Sequence, residues 1–228
     1  MEVGLTHRRI LELTNVPFLQ MTPSQVASHT FTRRVFNNQG NFEFYGYYQK
    51  KNYLAWVALT RSIIRFYQPN KLLPRRRDLL NLYTRPHRDC CILSQDIEPL
   101  TSSFDNIHSE CLLDEGRSGD YLITSLDFFE IPALKSSTIP SYFQIQSEII
   151  NNNVVIIQMS GDHFILIFGY QKSPIPRRTD IDRIIIWDPS EKSAYSGVST
   201  IPYSELSLYH FSVEETMLPV AAYYLRFK

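Results

Sequence analysis

Lysine plus arginine total 23 and aspartate plus glutamate total 23, so the chain has no excess charge of either sign. A balanced chain offers no global field to nucleic acid or to an anionic membrane, and any basic surface must be local. The run Arg75-Arg76-Arg77 is such a patch and reads as a solvated face. No stretch approaches the ~20 apolar residues of a membrane span, and the start, Met1 to Arg9, lacks the apolar core of a signal peptide. The expectation is a cytoplasmic protein, or one exported by a signal-less route. Cysteine is scarce as well. Three cysteines, an odd number, do not form a disulfide framework, which agrees with a reducing compartment. Cys90, Cys91 and Cys111, with His87 and His108 nearby, match no standard zinc spacing, and adjacent cysteines seldom both ligate one tetrahedral ion. No metal and no other cofactor is expected, and the cysteines read as small buried hydrophobes.

What the chain does have is apolar substance. At 228 residues, 43% hydrophobic and 13% aromatic, it can bury a large core as one domain or as two closely packed lobes. Residues 1 to 48 read as a β-rich extension. Thr30 to Phe36 and Phe42 to Tyr48 flank the turn Asn37-Asn38-Gln39-Gly40, and together they predict a hairpin. Residues 49 to 150 read as helical. A helix from about Tyr53 to Tyr67 is apolar on most faces and therefore buried, with only Arg61, Arg65 and Gln68 on a polar stripe, and Gln68-Pro69-Asn70 ends it. Lys71 to Tyr83 reads as a short second helix, Thr84 to Tyr121 as irregular, and Ser141 to Ile150 as an amphipathic helix stopped by three asparagines.

Residues 151 to 228 read as an antiparallel sheet. Val154 to Met159, His163 to Tyr170 and Arg183 to Trp187 are buried-strand runs, with further strands near Ser207 to Phe211 and Ala221 to Phe227. Helices first and antiparallel strands after define an α+β arrangement, two lobes meeting at a cleft.

The chemistry-bearing residues lie at the ends of these elements. His163 opens a strand directly after Gly161-Asp162, and Asp188 closes the neighbouring one in Trp187-Asp188-Pro189. Adjacent antiparallel strands bring such ends within hydrogen-bonding range. An imidazole held by a carboxylate there is a general base. Upstream, Gln49 precedes Ala55-Trp56 by five intervening residues, and Ala55 stands at the head of the buried helix. A helix N-terminus favours a thiolate and can donate to an oxyanion.

Gln-x5-(small)-Trp on an apolar helix, then Gly-x-His-Phe, then a strand closing in Trp-Asp-Pro, resembles the papain-like cysteine peptidases, in particular their compact bacterial branch of effector proteases and peptide-processing enzymes. Some of that branch also carry a Cys-Cys pair after the nucleophile helix. The resemblance covers roughly Gln49 to Ser190. It implies a central helix carrying the nucleophile packed on an antiparallel sheet carrying His and Asp. By motif, position 55 is the nucleophile, His163 the base, Asp188 its orienter and Gln49 an oxyanion donor. Trp56, Gly161 and Asp162 would line the substrate cleft. The implied activity is peptide-bond cleavage through a thioester on a peptide or protein substrate.

The departure is Ala55, where the family has cysteine. It reads as a Cys→Ala replacement in a catalytic chain, because Gln49, Trp56, His163 and Asp188 all remain. The alternative is a natural pseudoenzyme that keeps the fold to bind peptides or proteins.

Overall fold

A computed structural model describes residues 31–35, 44, 46–49, 54–75, 78–79, 82, 118–172 and 182–226. Cys90, Cys91, Cys111, His87 and His108 lie outside these residues, as does the turn at 37–40. In chain order the elements are β1 (Phe31–Arg34), α1 (Ala55–Tyr67), α2 (Ser118–Phe128), β2 (Ala133–Ser136), α3 (Tyr142–Ile150), β3 (Val155–Met159), β4 (Phe164–Lys172), β5 (Arg183–Asp188), β6 (Gly197–Pro202), β7 (Tyr209–His210), β8 (Thr216–Met217) and β9 (Pro219–Leu225). The protein is α+β, with an antiparallel main sheet ordered β2-β9-β3-β4-β5-β6 and a small ribbon of β7 and β8.

The centre of the sheet follows from its sequence. β3 opens on Val155-Ile156-Ile157 and β5 carries Ile184-Ile185-Ile186, and every residue of the two strands but Arg183 is buried. Strands covered on both faces lose the alternation of a half-solvated sheet. On one face, Trp187 meets Tyr48 and Phe44 at ring distances of 5.1 and 5.9 Å, and Phe44 in turn contacts Phe168 and Phe66 of α1. Only Arg61 and Arg65 of α1 escape burial. α2 covers the same face, with Gly119 so close to Tyr223 that an added Cβ would lie 2.0 Å from its hydroxyl oxygen. α3 packs on the other face, Tyr142 edge-on to Tyr170. The Ser141 hydroxyl accepts from the Gln144 backbone N–H while the Gln144 side chain accepts from the Ser141 N–H, a reciprocal cap that defines where α3 begins.

β1 corrects the expected N-terminal hairpin. It pairs with the second half of β4, Phe31 opposite Lys172 and Arg34 opposite Gly169, while β3 pairs with the first half, Gln158 to Val155 opposite Phe164 to Ile167. The expected second arm is not a strand at residue 44 or at 46–49. The reason is packing: Phe44 is stacked in the core on Phe168, and Gly46 lies so close to Trp187 that a Cβ would fall 1.9 Å from its ring. That segment crosses the sheet face instead of joining an edge. Where β1 replaces β3, the register of β4 against β5 shifts between Ile167 and Gly169. Gly169 permits the approach, since a Cβ there would stand 2.7 Å from the Arg33 carbonyl oxygen. The sheet thus takes β1 and β2 from segments that read as extension and as helical.

Candidate active site

β3 and β4 are joined by the turn Ser160–Asp162, in which Gly161 (φ 71°) and Asp162 (φ 57°) are both left-handed. Two such residues in succession turn the chain sharply and return it extended at His163, one residue before β4 starts. The turn is fastened on both sides. Ser160 exchanges two hydrogen bonds with Leu218, its N–H donating to the carbonyl at 2.7 Å and its hydroxyl accepting from the N–H at 3.1 Å. The Gln158 amide donates to Asp162 Oδ1 at 3.0 Å and accepts from the Tyr223 hydroxyl at 2.5 Å.

His163 and Asp188 meet as their positions in the sequence imply. His163 Nε2 lies 3.2 Å from Asp188 Oδ2, and both side chains are buried. A carboxylate only accepts, so the neutral ring carries its proton on Nε2 and its Nδ1 lone pair is the basic site. Asp188 has further donors: the Ser190 backbone N–H reaches Oδ1 at 2.8 Å and the Tyr209 hydroxyl reaches Oδ2 at 2.6 Å. Burial alone would push this carboxyl up, but the hydrogen bond and charge of His163, with the Ser193 and Tyr209 hydroxyls, hold it below the ordinary carboxylate range. Phe211 stands edge-on to the imidazole at 5.0 Å, and the Tyr209 ring lies roughly parallel to it at 6.3 Å. These aromatic groups close one side of the pair against water.

Gln49 is tied to the same place. Its backbone N–H donates to the Pro189 carbonyl at 2.8 Å, next to Asp188. Its side chain is buried, and Oε1 has no hydrogen-bond partner among the described residues. Ala55 is the first residue of α1 and is fully buried. Trp56 packs between α1 and α2, its ring 5.7 Å from Tyr121, and is fully buried. Gly161 is exposed and would have nothing within 4 Å of an added Cβ, whereas Asp162 is engaged by Gln158.

One relation was not foreseeable from the motif order. Trp187 points to the face that α1 covers, and Asp188, the next residue of the same strand, points with Tyr209 to the opposite face. The helix that position 55 heads and the His163–Asp188 pair therefore lie on opposite faces of the sheet. Tyr209, Ser190 and Ser193 carry no motif, and nothing in the sequence singles them out.

Among the described residues no group of three or more His, Cys, Asp and Glu side chains is arranged to hold a metal ion. No helix among them is long and apolar enough to cross a membrane. No family model matches the chain, and no curated protein matches it.

Proposed function

We propose that the chain has the scaffold of a papain-like cysteine peptidase, helices α1 and α2 forming one lobe and the sheet the other, with Ala55 at the nucleophile position. The observation that carries this reading is the buried His163–Asp188 pair, with Nε2 committed to the carboxylate and Nδ1 left as the base. With cysteine at 55, His163 would take the thiol proton, the thiolate would attack a peptide carbonyl, and the imidazolium would return the proton to the departing amine. Water would then release the thioester. The Gln49 amide, buried beside the strand end with an unpaired oxygen, is a polar group kept at a cost that functional sites retain. The oxyanion contact would come from its Nε2–H2, the donor end of the amide, since the unpaired Oε1 can only accept. As it stands, with a methyl group at 55, the chain binds substrate without cutting it.

The test is Ala55→Cys, alkylated with iodoacetamide across pH, alone and with His163→Ala. Labelling that persists well below the ~8.5 of an ordinary thiol, and that is lost without His163, supports the reading. An ordinary thiol profile indifferent to His163 overturns it. That second result favours a non-catalytic peptide-binding module, for which Ala55 itself is the supporting observation.

A further inference from the structure

We infer that Tyr209 is a positioning residue of this site, its hydroxyl fixing the Asp188 carboxylate so that the carboxylate in turn fixes the ring of His163. The inference deepens the reading of the site as a His–Asp catalytic pair and rests on it. Tyr209 comes from β7, outside the main sheet, and is wholly buried. Its hydroxyl donates to Asp188 Oδ2 at 2.6 Å, the shortest of the contacts to that carboxylate. The Ser190 backbone N–H holds the other oxygen, so the two bonds together restrain the carboxylate, both of whose oxygens lie 3.2 Å from His163 Nε2.

The groups around the pair come from several elements. Asp188 and Ser190 belong to β5 and the turn after it, and Tyr209 and Phe211 to β7 and the residue after it. Ser193 approaches the Tyr209 hydroxyl at 3.5 Å, and Tyr195 packs its ring on Tyr209 while bonding Glu205. Burial, the charge of Asp188 and the hydrogen bond to it raise Tyr209 far above an ordinary phenol, so it remains a donor throughout the pH range of the reaction. Phe211 has no such hydrogen and only screens the imidazole from water.

Two measurements test this. In the chain with Ala55, ring-15N spectra report the tautomer of His163. We expect Nε2–H alone in the unsubstituted protein and a mixture of both tautomers in Tyr209→Phe; a Tyr209→Phe spectrum still showing Nε2–H alone overturns the inference, whether or not position 55 ever supports catalysis. In the Ala55→Cys background, Tyr209→Phe should slow the His163-dependent alkylation below pH 7 by about tenfold, the size of loss typical when a group that orients a functional ligand is removed. Labelling above pH 9 should be unchanged. A uniform loss at both ends of the profile would mean that Tyr209 only supports the fold. If Tyr209→Phe does not fold, the unsubstituted chain decides the matter: a Tyr209 hydroxyl proton shifted downfield and slow to exchange supports the bond, and its absence overturns it.

Discussion

Two tyrosine-anchored networks flank the turn that presents His163, one on each face of the sheet. On one face Tyr223 donates to Gln158, whose amide donates to Asp162. On the other Tyr209 and the Ser190 backbone donate to Asp188, which holds His163. The first network keeps a neutral amide at its centre, which accepts from one side chain and donates to another. The second buries a charge and surrounds it with donors from three chain segments. A buried polar group needs its partners, and a buried carboxylate needs them much more. The difference separates a network that shapes a turn from one that holds a buried charge.

Removing the centre of each network should break the symmetry between them. Asp188→Ala leaves His163 and Tyr209 buried without their acceptor and should cost ~3–5 kcal/mol. Gln158→Ala should cost less, about 1–3 kcal/mol. Equal midpoint losses in urea would show that Asp188 is not held as a charge. Tyr223→Phe, which orphans Gln158 Oε1, should cost about 1–2 kcal/mol by the same measurement.

The pH dependence sharpens the contrast, because Asp188 and Tyr223 titrate at opposite ends of the scale. Asp188 has a folded value below its unfolded ~3.9. Its contribution is complete above about pH 4 and is lost as the pH falls through the lowered folded value. Tyr223 is pushed up to about 12 by burial, then by Asp120 and Asp162, against an ordinary ~10. Its contribution is complete below about pH 10 and is lost as the pH rises toward 12. Stability followed against pH should therefore lose part of its acid slope in Asp188→Asn and part of its alkaline slope in Tyr223→Phe. Asp188→Asn should also change the alkaline slope, because the charge of Asp188 helps to raise Tyr209, whereas a loss of acid slope in Tyr223→Phe would contradict the assignment. The smallest change lies between the networks. Gly161→Ala meets no atom but forces a side chain onto a left-handed backbone, for about 1 kcal/mol, and should leave both slopes alone.

How far the sequence led depended on where the deciding contacts lie. α1 and strands β3, β4 and β5 were legible because a continuous apolar run has few alternatives, and their ends came within a residue or two. His163 and Asp188 were legible because strand ends and pairing order fix their meeting. α2 was not, since its first turn, Ser118-Gly119-Asp120, reads as a loop, and Gly119 is there to admit the Tyr223 hydroxyl. The edge strands β2 and β6 were missed as well. β2 carries exposed Leu134 and Lys135, and β6 is bounded by Gly197 and Pro202. Tyr209 bonds a carboxylate 21 residues away through a ribbon of two-residue strands, a contact that no local pattern encodes.

The junction of β1 with β4 has a consequence for handling the protein. β1 occupies, beside Gly169 to Lys172, the place that β3 vacates, and it reaches it across well over a hundred residues of chain. Closing so long a loop is slow relative to local pairing, so this ladder should form late in folding. Until it does, or in any shortened version lacking Phe31–Arg34, the Gly169–Lys172 half of β4, continuous with the apolar run Phe164–Phe168, has a bare hydrogen-bonding edge. Such an edge pairs with another molecule as readily as with its own β1. Losses on refolding, or in trimmed versions of the chain, should therefore appear as aggregates seeded at β4, with the His163–Asp188 pair at the other end of the strand still intact.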